Sequence, residues 1–152
     1  MKTMQKLEVF VQDIDVKTKA VLCDLDGIVT VVSGVMQQLV DFKKSYEFYD
    51  SGLISEKIKS DRNTDLCSLQ NLKLAVEYLT DSVIRALAVA GAKLDMIRNE
   101  VLIARTSFSE LSSAKELFSA TDNLVEKLDW ICTSIAKNID HILTTMKFFE
   151  NK

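Results

Sequence analysis

The stretch from Leu7 to Tyr46 limits the fold more than any other part of the chain. Leu7, Val11, Ile14, Thr18, Val21, Leu25, Ile28, Val32, Val35, Leu39, Phe42 and Tyr46 follow one another in alternating steps of four and three, and eleven of the twelve are apolar. That 3.5-residue repeat describes a helix with one buried seam, held over nearly six heptads. A strand, whose side chains alternate with period two, would send this set to both of its faces. At 1.5 Å per residue the segment makes a rod of about 60 Å.

Composition fits a chain of few, long helices. Its 152 residues suit one domain, and they include no proline and only four glycines, where an ordinary domain carries about 5% and 7% of the two. A net charge of −3 and a pI near 5.2 argue against nucleic acid as a partner, since such a binder shows a basic patch. Cys23, Cys67 and Cys132 are odd in number and far apart, which favours free thiols and a reducing compartment. His141 is the only histidine, so a multi-histidine metal site is excluded. Acidic residues at Glu8, Asp13 and Asp15 interrupt any signal-peptide core. No unbroken run approaches the ~18 apolar residues of a membrane span. A cytoplasmic location is the resulting expectation.

The seams divide the chain. A first helix over about 4–49 ends at Asp50-Ser51-Gly52, a stop signal. A connection over 50–64 follows, leaving open a short fourth helix at 53–60. Thr64 or Asp65 is a plausible N-cap for a second helix over about 65–111. Its seam runs Leu69, Leu72, Val76, Leu79, Val83, Ala86, Ala90, Leu94, Ile97, Val101, Ala104, Phe108, Leu111. Two steps of four fall together at 86–90–94, a stutter that should straighten or kink the helix near Gly91. Ser113-Ala-Lys-Glu116 reads as a capping box opening a third helix over about 113–150. That helix repeats the first pattern from Ala114 to Phe149. The expected fold is all-α: one elongated antiparallel bundle of three long helices with coiled-coil-like heptad seams.

One short motif carries a catalytic resemblance. Ala20-Val-Leu-Cys-Asp24-Leu-Asp26-Gly27-Ile-Val-Thr30 resembles the first motif of haloacid-dehalogenase-type phosphatases. The resemblance implies Asp24 as nucleophile, Asp26 as acid/base and magnesium between them. That chemistry needs Asp24 at the end of a strand, whereas Val21, Leu25, Ile28 and Val32 carry the helical seam straight through. In a helix Asp24 and Asp26 point about 200° apart and share no metal. The expectation is therefore no enzyme, no catalytic set, no metal and no cofactor.

Function is sought instead on the helix faces. Leu22, Val29 and Met36 flank the first seam at seven-residue spacing, and Leu117, Leu124 and Ile131 flank the third. Such rows suit a helix that buries itself against two others. Leu22, Val29 and Met36, with Trp130 beside the third seam, are the candidate partner-facing residues: they face either the third helix or a docked partner. The chain is expected to be an interaction protein, a scaffold or assembly subunit that packs helices with itself or with other chains. A membrane- or lipid-active bundle is the alternative, motivated by the nearly uncharged stretches Gly27–Met36 and Ala86–Ala92.

Overall fold

The computed structural model describes residues 2–50, 69–111 and 113–150. Of these described residues 96% are helical, in three helices packed against one another, and none is in a strand. Helix α1 spans Lys2–Asp50. Helix α2 runs over 69–107 and contains the π-helical turn Leu79–Val83, followed by the α-helix Ile84–Ser107. Helix α3 spans Ala114–Glu150. The expected fourth helix at 53–60, the Gly52 stop, the Thr64 or Asp65 cap and Cys67 lie outside the described residues.

The seam is the core. Leu7, Ile14, Val21, Leu25, Ile28, Val32, Val35, Leu39 and Phe42 of α1 are buried, and Val11 is half-buried. Thr18, the one polar member, is also buried, and its hydroxyl donates to the Asp15 carbonyl at 2.9 Å. The buried oxygen is thus satisfied inside its own helix, which lets a threonine hold a seam position.

Helix α2 departs from its expected seam. Ala86 is exposed and Leu87 is half-buried, so the buried positions run Leu79, Val83, Leu87, Ala90 and Leu94. The two steps of four therefore fall at 79–83–87, seven residues or about two turns before the expected place, where the π-helical turn lies. There the Ile84 N–H donates to the Leu79 carbonyl. An i→i+5 bond takes up one additional residue, which keeps the face pointing inward across the irregular step. Gly91 sits in regular helix downstream.

Between α2 and α3 the chain turns. The Leu111 N–H donates to the Phe108 carbonyl, and the Ala114 N–H to the Leu111 carbonyl, both at 3.1 Å. The second and third helices are thus separate.

The chain divides into two compact units. The first comprises Met1–Ile28 and Ala86–Ser134. In it Lys17 pairs with Glu100 and Asp24 with Lys93, so α1 and α2 run antiparallel. Arg98 pairs with Asp129 and Arg105 with Asp122, so α2 and α3 do too. Phe10 of α1 packs on Phe108 and Phe118, with ring centroids 6.3 and 6.1 Å away.

The second unit comprises Val29–Arg85 and Ile135–Lys152. Here Phe42 meets Phe149 edge-on, with centroids 5.0 Å apart. Leu72, Leu79 and Val83 of α2 are buried, as are Ile139, Ile142 and Met146 of α3.

Candidate functional site

Ion pairs identify which edge of each helix faces which neighbour in the first unit. Lys17 and Asp24, seven residues apart, mark the edge of α1 against α2. Asp122 and Asp129, also seven apart, mark the edge of α3 against α2. Leu22 lies across the α1 seam from Lys17 and Asp24. Leu117, Leu124 and Ile131 lie across the α3 seam from the two aspartates. These side chains therefore border the remaining edge, between α1 and α3. Charges close two of the three interhelical edges, and aliphatic side chains border the third.

The third edge is only partly covered. Leu22 is 39% exposed, Leu117 and Leu124 are each more than a third exposed, and Ile131 is half-buried. In the second unit, Val29 is 38% exposed and Met36 is half-buried. Of the two alternatives for this row, third helix or docked partner, the exposure leaves both open: more than half of Leu22 is covered and over a third of it is not.

Trp130 does not join this edge. It is 71% exposed and occupies the side of α3 opposite the seam residues Leu128 and Cys132. Its indole points outward and is no part of the core.

A further exposed row was missed in the sequence. Val89, Met96 and Ile103 of α2 stand seven residues apart and are each more than half exposed. Their spacing is visible in the sequence, but only the α2 ion pairs show which way they point.

The phosphatase-like motif lies inside α1. Asp24 pairs with Lys93 at 3.2 Å, both side chains about half exposed. Asp26 is exposed on another side of the same helix. Among the described residues, no three His, Cys, Asp or Glu side chains gather into a group that could hold a metal ion. His141 is exposed on α3.

Two groups are electrostatically perturbed. The Glu100 carboxylate, and after it Asp13, raise the pKa of Lys17 by accepting its hydrogen bonds. Burial, helped by Asp129, raises that of the Cys132 thiol. An open groove of about 690 Å³ lies beside Lys17, between α1 and α2, with Lys6, Phe10, Glu100, Ile103 and Phe108 in its walls.

The membrane and localisation expectation needs correction. The span Thr3–Lys44 of α1 is long and apolar enough to cross a membrane: its best 18-residue window has a mean hydropathy of 1.5 with no more than two charged side chains. Of that window, 28% is buried within the protein. A search for an unbroken apolar run missed it, because glycine, serine and threonine interrupt the run without adding charge. Residues 27–40 contain no charged side chain at all. The inference of a cytoplasmic location from the lack of such a helix therefore falls.

Compared with protein-family models, curated proteins and solved structures, the chain finds no significant match.

Proposed function

We infer that this chain is a non-enzymatic helical interaction protein, an assembly subunit that docks further helices along its own. One observation carries the reading. In the first unit, ion pairs close the α1–α2 and α2–α3 edges, while Leu22, Leu117 and Leu124 border the α1–α3 edge, each more than a third exposed. Apolar side chains in heptad phase along an edge are what an added helix packs against.

The test is the double substitution Leu117→Lys with Leu124→Lys. Light scattering and affinity capture with mass spectrometry are run on the intact chain and on the variant. The variant should keep its helicity and melting curve but lose assembly mass or captured chains. An unchanged mass and an unchanged set of captured chains would remove the basis for this reading.

A second reading, a membrane- or lipid-active bundle, is supported by the hydropathy of α1. Its uncharged segment over 27–40 has a length of about 21 Å, shorter than a hydrocarbon core of about 30 Å. Liposome flotation separates the readings: a lipid-active bundle floats with vesicles in the absence of any protein partner, and a helix-docking subunit stays at the bottom.

A further inference from the structure

We propose, building on the helix-docking reading, that α2 pairs antiparallel with α2 of a second copy of this chain, about a two-fold axis at Met96. Val89, Met96 and Ile103 are 54%, 63% and 67% exposed. They keep seven-residue spacing in phase with the buried seam Ala90, Leu94, Ile97, Val101 and Ala104. A row of that period over fourteen residues, about 21 Å of helix, fits a partner helix lying alongside.

The charges beside the row select the partner and its direction. Lys93 and Glu100 border it on the side facing α1, and Ala92 and Asn99 border it on the other. In an antiparallel pair centred on Met96, Val89 lies opposite Ile103 of the second copy and Met96 lies opposite Met96. Lys93 then faces Glu100 of the second copy, and Glu100 faces its Lys93. Both Lys–Glu pairs lie on the same flank and are related by the two-fold, as an isologous contact requires, while Ala92 and Asn99 of the two copies meet on the other flank. In a parallel two-fold pair the Lys93 and Glu100 flank would instead face Ala92 and Asn99 of the second copy, and neither charge pair would form.

The surroundings permit this approach. Lys93 already binds Asp24, but an ammonium carries three donors and its side chain is half exposed. Ala92 and Asn99 are small and uncharged, so the helices can come close. The ion pairs of α1 bring exposed Ala20 level with Met96, so no long α1 side chain overhangs the axis. Methionine at the axis adapts its shape to its own copy.

The experiment measures the solution mass of the intact chain by light scattering, with circular dichroism melts on the same samples. The wild type should show twice the 17.1 kDa chain mass. Met96→Glu should give the single-chain mass while staying folded and helical, its melt losing only the concentration-dependent stabilisation that dimerisation adds, because the position is exposed in the single chain. Lys93→Glu and Glu100→Lys each place like charges at both symmetry-related 93–100 contacts, so each alone should weaken self-association at least tenfold. Mixed together, they should restore it, because both contacts of the mixed pair are attractive. Each variant also loses an ion pair within its own chain, and mixing cannot repair that loss. Restoration therefore reports on the contact between copies.

A wild type that stays single, a dimer indifferent to Met96→Glu, or charge variants that do not complement each other would overturn the proposal. A dimer that survives Met96→Glu but is lost in the Leu117→Lys, Leu124→Lys variant overturns α2 pairing and leaves the helix-docking reading standing. Indifference to all of these substitutions overturns both.

Discussion

Lys17 of α1 and Glu100 of α2 lie 2.9 Å apart, 83 residues distant in sequence, and the same ammonium reaches Asp13 at 2.9 Å. One lysine thus ties a turn of its own helix to the neighbouring helix and fixes their register. The pair is half-exposed, and water screens it enough that its weight lies in specifying alignment more than in stability. The sign of its pH dependence follows from the raised pKa. The contribution is fully present below the ordinary lysine value of 10.5 and is lost as pH rises through the higher folded value. Melting curves of the wild type and Lys17→Met should therefore differ slightly at neutral pH and converge in strong alkali. A gap that widens with alkalinity would mean that the ammonium is not bound by these carboxylates.

Seam and surface should respond differently to truncation to alanine. Leu25 is fully buried, and Leu25→Ala should cost about 2–5 kcal/mol through lost transfer energy and the cavity left behind. Val16 lies on the opposite side of α1, two-thirds exposed, and Val16→Ala should stay within about 0.5 kcal/mol. Urea titrations of the two variants check this. Equal costs would place the seam elsewhere on the helix.

The thiols should react in order of exposure and acidity. Cys23 is exposed, whereas Cys132 is half-buried in the α3 seam and burial raises its pKa from 9.0. The thiolate is the reactive form, so Cys132 has less of it at any pH below that range. Alkylation at mildly alkaline pH, mapped by peptide mass spectrometry, should modify Cys23 well before Cys132. The reverse order would show that α3 does not present its seam to the core at this position.

Much of the fold was legible because one signal repeats so often. The four-three alternation fixed both the helical state and the inward face of α1 and α3. Phe42 and Phe149, far apart in sequence, were each placed on a seam by spacing alone, and they meet in the structure. The π turn was not legible at its true place. Ala86 and Leu87 are both apolar, so either could continue the seam, and only packing decides for Leu87. The direction of the flanking rows was hidden for a similar reason. Leu22 is apolar whichever neighbour it faces, and only the pairing of Lys17 and Asp24 with α2 assigns it to the α3 side. Trp130 was open between core and interface, because residue type alone does not tell a helix's outward side from its flank. The apolar window of α1 went unseen because hydropathy is an average, while the sequence was searched for an unbroken run.

The central claim is that apolar side chains outside the seams dock further helices. Analytical ultracentrifugation of the purified chain over the micromolar range tests it most directly. The account predicts an average mass that rises with concentration above the 17.1 kDa of one chain, and that returns to it when Met96→Glu and Leu124→Lys are combined. A wild type that sediments as a single chain throughout, with the same mass as that variant, would contradict it.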